Sequence, residues 1–314
     1  DALGRSGVRF RTCWATPISS PSRAEIMTGR YGFRTGWFHN QMKPPVDEPE
    51  GNLARSNEVF SEILNDAGYA TAVCGKWQLR GSEKQHGFDE NCMWVGMESG
   101  IPEGQTFDGP VETEGMTLPG RTARYWHPAI RQNGRLLPTA KDDYGPDIFV
   151  DFLLDFAKRK KGSPFLVYYP MCLPHKSWDF EAGRSGYVPV PEVDSQGKKT
   201  GRKVPGSKQS NVEYIDNLMG RIVRGLESLN LQENTIVLFT SDNGTSGYGK
   251  GSWIQERGQR VPMIVNCPGI VEPQGGLDTL VDFSDVLPTL CDLAGVSIPD
   301  DYVIDGKSIA YTVR

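Results

Sequence analysis

Short apolar runs alternate along this chain with longer amphipathic segments, and that alternation constrains the fold more than any other feature. Residues 69–74, 165–169, 235–239 and 263–267 are brief, apolar and bounded by turn-forming residues, the pattern of buried strands. Between them, apolar residues recur at helical spacing. Val59, Phe60, Ile63, Leu64 and Ala67 form one such stripe, with Ser56 as N-cap and Gly68 as the stop. Ile148, Phe149, Phe152, Leu153 and Phe156 form a second, opened by Pro146 and closed by the basic residues 158–161. Ile215, Leu218, Met219, Ile222, Val223, Leu226 and Leu229 form a third, and residues 282–294 read as a further helix. Strand and helix in alternation predict an α/β fold, a mostly parallel central sheet sandwiched by helices.

The segment from Ser19 to Arg30 reads as a loop entering a helix. Pro21 suits the first turn, where its missing N–H is no loss, and Gly29 is a natural stop. Ser19 therefore sits at a helix start, where backbone N–H groups and the positive dipole end favour an anion. Arg23, one turn on, adds a planar guanidinium suited to a tetrahedral oxyanion. A hydroxyl, an anion-friendly helix start and an arginine suggest a nucleophile for a sulfate or phosphate ester.

Ser19, Pro21, Ser22, Arg23, Met27, Thr28 and Gly29 together resemble the signature of the type I sulfatases, within the alkaline phosphatase superfamily. Further matches follow in the family's order. Gly75-Lys76-Trp77-Gln78-Leu79 resembles a Gly-Lys-Trp-His-Leu motif, and Leu173-Pro174-His175 follows an apolar strand as the family's Pro-His does. Asp242-Asn243-Gly244 ends another strand, and the stretch from Lys250 to Pro262 resembles the family's Lys-Gly, Glu-Gly and Arg-Val-Pro segment, with Arg257 where glycine is usual.

The resemblance implies an alkaline-phosphatase-like fold over nearly the whole chain and hydrolysis of a carbohydrate or aryl sulfate. It makes Ser19 the precursor of a formylglycine nucleophile, produced by a maturase, with Arg23, Lys76, His175 and Lys250 around the sulfate. It makes Asp242 and Asn243, with residue 19, ligands of Ca²⁺ or Mg²⁺, hard oxygen donors for a hard cation. Position 78 departs from the pattern: a histidine that helps deprotonate the hydrated aldehyde is Gln78 here, and glutamine is no base near neutral pH. The family's first core strand, ending in an Asp-Asp pair, and its C-terminal subdomain are expected to lie outside this sequence, and the resemblance implies a periplasmic or secreted location. Two other readings remain: a phosphomonoesterase or phosphodiesterase of the same superfamily using Ser19 directly, and a non-catalytic sulfate-binding homologue.

Residues 1–314 read as one domain, with a substrate-facing insertion at 97–145 and a flexible surface loop at 180–209. Asn133-Gly134 marks a hairpin inside the insertion. A net charge of -5 with no basic stripe argues against nucleic acid as a partner. No apolar run approaches the roughly 20 residues that span a bilayer. Six cysteines are scattered without paired spacing, so they read as buried free thiols, and no zinc pattern appears. His39, His86 and His127 read as surface or packed residues.

Overall fold

The computed structural model describes residues 2–40, 53, 57–96, 111–113, 116–118, 122–179, 184–245 and 247–314. In chain order, the elements that matter for the site are α1 (Ala2–Arg5), β1 (Val8–Trp14), α2 (Ser19–Thr28), α3 (Phe60–Asp66), β2 (Ala70–Gly75) and β3 (Glu90–Trp94). They continue with β4 (Ile130–Gln132), β5 (Arg135–Leu136), α4 (Gly145–Arg159), β6 (Phe165–Tyr168) and α5 (Lys208–Ser228). The last are β7 (Val237–Thr240), β8 (Arg260–Asn266), β9 (Gly275–Asp282) and α6 (Val286–Ala294). The chain forms two compact units. Unit 1 comprises Asp1–Thr71, Gln78–Asp89 and Asn230–Arg314; unit 2 comprises Ala72–Trp77 and Glu90–Leu229.

Unit 1 is built on a four-stranded sheet in the order β7-β8-β1-β9. Val8 and Phe10 of β1 enter the core while Arg9 and Arg11 face outward, the two-residue period of a pleated strand, and a register shift after Phe10 turns Cys13 inward. β1 runs antiparallel to β8, pairing Val8 with Val265 and Phe10 with Met263, and parallel to β9, pairing Val8 with Gly275. Gly7 before it has no room for a side chain, since a Cβ there would lie 2.3 Å from the Val265 carbonyl oxygen. All ten residues of α2 are buried. The helix stops at Gly29, whose φ of 67° is easy only for glycine and whose N–H donates to the Glu25 carbonyl.

Unit 2 is built on a five-stranded sheet in the order β5-β4-β3-β2-β6. β2 and β3 are parallel, pairing Ala72 with Glu90 and Cys74 with Cys92, whereas β3–β4 and β4–β5 are antiparallel. The β4–β5 turn is Asn133-Gly134, with φ 47° and 82°, as its dipeptide predicts. Phe149, Phe152, Leu153 and Phe156 of α4 are buried as their spacing requires. Asp147, buried in its first turn, accepts hydrogen bonds from Tyr214 Oη at 2.8 Å, Arg221 Nη1 at 2.6 Å and Lys199 Nζ at 3.0 Å. That carboxylate fastens α4 to α5.

The α/β class holds, with sheets of mixed direction where a mostly parallel one was expected. β9 escaped sequence reading because it is half exposed and opens on two glycines. The expected loop at 180–209 instead contains strands Arg184–Gly186, Val190–Val193 and Lys199–Val204, the last two pairing as Val190 with Val204. Their lysines and glycines resemble loop composition, yet lysine is also how an exposed strand is kept from further pairing. In the expected insertion, residues 97–110 lie outside the described set, while Ala123, Tyr125, Ala129, Ile130 and Tyr144 belong to the core. The first helical stripe starts at Phe60, with Val59 as cap; Ser56 lies outside the described residues. All six cysteines are buried free thiols, and burial lifts Cys92 to about 12.

Candidate active site

Ser19 is the first residue of α2, preceded by Ile18 in extended conformation. Its side chain is buried, and its Oγ donates to Asn243 Oδ1 at 3.0 Å. The neighbouring hydroxyls serve the backbone: Ser20 Oγ donates to the Gln78 carbonyl at 2.8 Å and Ser22 Oγ to that of Thr16 at 2.7 Å. The Ser20 N–H, one of the helix's orphan donors, is satisfied by Asn40 Oδ1 at 2.9 Å. These ties hold the helix start in place and leave residue 19 facing the end of β7.

Asp242 and Asn243 follow β7. Arg23 Nη2 donates to Asp242 Oδ2 at 3.0 Å, a pair in which the arginine is 5% exposed and the aspartate 32%. Asn243 Nδ2 donates to the Gly244 carbonyl at 2.7 Å, which orients its amide so that Oδ1 meets Ser19. Ser19, Arg23, Asp242 and Asn243 are thus brought together within unit 1. Asp242, Asn243 and residue 19 are hard oxygen donors of the kind that suits Ca²⁺ or Mg²⁺, though they carry a single formal charge and Arg23 shares it. Among the described residues, no group of three or more His, Cys, Asp or Glu is placed to hold a metal ion.

Lys250 lies in a turn whose next residue, Gly251, donates from its N–H to the Pro17 carbonyl at 2.8 Å, close in sequence to Ser19. The turn folds tightly on itself: a Cβ at Gly249 would lie 1.7 Å from the Arg257 carbonyl oxygen. Arg257 itself lays its guanidinium over the Tyr248 ring, 5.5 Å from the centroid. Gln78 has φ 58°, unusual for a residue with a side chain, and its Oε1 is buried without a hydrogen-bond partner.

Lys76 and His175 belong to unit 2. Lys76 directly follows β2, is buried, and donates its N–H to the Pro170 carbonyl at 2.8 Å. Gly75 before it has φ 113°, and a Cβ there would lie 2.3 Å from the same carbonyl, so only glycine fits. His175 follows β6, and its Nδ1 lies 2.8 Å from the Lys176 carbonyl. Sequence reading missed three residues. Asn40 caps the helix that opens on Ser19, Arg124 lies against His175, and Glu25 is buried inside α2. Burial, then the neighbouring Asp282, pushes the Glu25 carboxyl well above its usual range. Nothing in the local pattern marks any of the three.

The family model described as Sulfatase matches residues 1–296. The uncharacterized sulfatase YdeN of Escherichia coli (strain K12) is 30% identical over 98% of this chain and 55% of its own. An arylsulfatase of Hemicentrotus pulcherrimus is 27% identical over 98% of this chain and 56% of its own. The chain therefore spans somewhat more than half the length of these curated relatives. The crystal structure of Ps i-CgsB in complex with k-i-k-neocarrahexaose superposes with a TM-score of 0.71 at 23% identity, covering 98% of this chain and 68% of that one. The fold is that of the alkaline-phosphatase-like sulfatases, and this chain belongs to the sulfatase family.

Proposed function

We propose that this chain carries the catalytic machinery of a sulfuric ester hydrolase acting on a saccharide or aryl sulfate. The observation that carries the reading is the contact of Ser19 Oγ with Asn243 Oδ1 at 3.0 Å, beside the Arg23–Asp242 pair. A hydroxyl at the start of a helix, held against an amide oxygen and one turn from a buried guanidinium, is placed for attack on an oxyanion ester. Oxidised to formylglycine by a maturase, residue 19 would supply a hydrated aldehyde as nucleophile to sulfur; loss of a proton from its second hydroxyl would then expel sulfate without water attacking sulfur.

The chain's own residues do the rest. Arg23 neutralises charge on the sulfuryl oxygens as the S–O bond to the alcohol breaks. Asp242, Asn243 and residue 19 would hold Ca²⁺ or Mg²⁺, which would supply further positive charge to the site. For Lys76, His175 and Lys250 the support is the motif each stands in: Lys76 and Lys250 toward the sulfate, His175 toward the sulfate and the departing alcohol oxygen, which needs a proton. The saccharide in the complex of the structural neighbour supports a carbohydrate sulfate as substrate class.

The test is peptide mass spectrometry of the protein co-expressed with a serine-oxidising maturase, with turnover of a panel of sulfate and phosphate monoesters. Aldehyde at residue 19 together with sulfate-selective turnover is expected. Full sulfatase activity with unmodified Ser19 would refute the nucleophile assignment, and preference for phosphate would favour the phosphoesterase reading. A non-catalytic sulfate-binding homologue is the second reading, and Gln78 favours it, since the residue expected to act as base is absent. Sulfate binding without turnover of any ester would establish that reading.

A further inference from the structure

We propose that Arg124 is an anion-binding residue of unit 2, receiving an oxyanion of the substrate beside His175. The identity of that oxyanion as a sulfate-type group rests on the sulfatase reading above. The side chain is 3% exposed, yet no carboxylate among the described residues pairs with it. Only Nη2 is engaged: it donates to the Lys176 carbonyl at 2.7 Å and lies 3.4 Å from His175 Nδ1. Nε is buried with no acceptor among the described residues. A cation taken out of water is strongly disfavoured unless an opposite charge meets it. A buried carboxylate of the same unit, Asp147, obeys that rule with three donors.

What surrounds Arg124 compensates it only in part. Its guanidinium lies 4.8 Å from the ring centroid of Trp94 and 5.7 Å from that of Tyr125, so two aromatic faces hold it in place while leaving its charge intact. A guanidinium cannot accept a hydrogen bond. The 3.4 Å contact with Nδ1 is therefore two donors side by side, both directed into the Lys176 oxygen, with His175 Nδ1 at 2.8 Å. That fixes the proton on Nδ1, and the imidazole engages any other group through Nε2. Tyr125 Oη donates to the carbonyls of Cys172 and His175, which holds the histidine segment in this position. The positive charge of this edge is the uncompensated guanidinium alone, with the oriented imidazole beside it on the same carbonyl, and a tetrahedral oxyanion is the ligand that meets that charge.

The oxyanion could be the reacting sulfate or a second acidic group on the saccharide, and the experiment separates them. The first arm uses the whole chain with ¹⁵N-labelled histidine and inorganic sulfate as the probe. The chain has four histidines, so ring signals are assignable by substitution. Expected are an Nδ1–H tautomer at His175, a saturable shift of that ring with sulfate, and at least tenfold weaker sulfate binding in Arg124→Met. Should Arg124→Met fail to fold, Arg124→Lys, which keeps the charge but not the planar fork, decides, with binding weakened several-fold. No sulfate response in the wild type, or unchanged affinity in the variant that folds, overturns the proposal. The second arm compares kcat/KM of wild type and Arg124→Lys on a singly sulfated sugar and on one with an additional carboxylate. An equal loss on both marks the reacting sulfate, a loss confined to the second marks a second anion, and no loss on either overturns the proposal. If no sulfate ester is turned over at all, the sulfatase reading fails while the inorganic-sulfate arm still judges Arg124.

Discussion

Replacing Glu25 by glutamine removes one ionisable group from the helix that presents Ser19, and the pH dependence of stability reports it. The Glu25 side chain is 3% exposed and its Oε2 has no hydrogen-bond partner. Burial raises its carboxyl well above the usual range, and the charge and hydrogen bond of Asp282 raise it further, with Asp285 and Asp305 contributing. Folded protein thus keeps a proton that the unfolded chain releases above about pH 4.3. The sign follows: the contribution to stability is complete below that pH and is lost as pH rises toward the folded value. Within this window the slope is about 1.4 kcal/mol per pH unit for one proton. As pH rises through this window the wild type should therefore lose stability relative to Glu25→Gln, which has the same shape and no proton to release. Urea unfolding of both proteins at several pH values measures the difference, and hydrogen exchange of α2 amides locates it. Parallel pH profiles would refute the buried neutral acid.

Three other outcomes are expected. Gln78→His should raise turnover, since a general base typically contributes ~10²–10⁴-fold, and a single-turnover assay should show faster sulfate release. His175→Ala and Lys250→Ala should each lower kcat by at least tenfold with circular dichroism unchanged; wild-type kcat and KM in both would remove these residues from the reaction. Calcium titration by calorimetry should give weak binding, with Kd on the order of 10⁻⁴–10⁻³ M, because among the described residues no acidic cluster joins Asp242, Asn243 and residue 19. Tight stoichiometric binding would show that other groups complete the site.

The helices α4 and α5 were legible because each buries one stripe, and a stripe leaves a period of 3.6 residues in the sequence. The runs that became β2, β6, β7 and β8 were legible because they are apolar and short. Helix α2 differs: all its residues are buried, so it has no stripe, and it was legible only from Pro21 at its first turn and Gly29 at its stop, with its role read from the resemblance of Ser19, Pro21, Ser22 and Arg23 to a known motif. Contacts across long stretches of chain leave no periodic trace either. Ser19 meets Asn243 across 224 positions, and Arg124 reaches His175 across 51. The first pair could be anticipated because both members stand in family motifs. The second could not, because Arg124 stands in none, and its lack of a counter-charge exists only in three dimensions.

Position 78 shows how main chain and side chain can carry separate duties. The Gln78 carbonyl accepts from Ser20 Oγ at 2.8 Å, a tie that any residue could make. The backbone there is held at φ 58°, a conformation costing roughly 1–3 kcal/mol for a residue with a side chain, so its surroundings impose it. The side chain then adds a cost of its own, because a buried amide oxygen without a donor loses roughly 1–3 kcal/mol. An oxygen acceptor held in this way can receive a hydrogen bond from an arriving hydroxyl, but it cannot remove the proton. On the proposed route, proton loss from the hydrated aldehyde would then fall to solvent, and the rate should climb steadily with hydroxide concentration. Imidazole in the same backbone would take the proton itself, and the rate of Gln78→His should level off above about pH 6.5, the ordinary histidine value. A wild-type profile that is already flat above neutrality would mean that another group in the protein serves as the base.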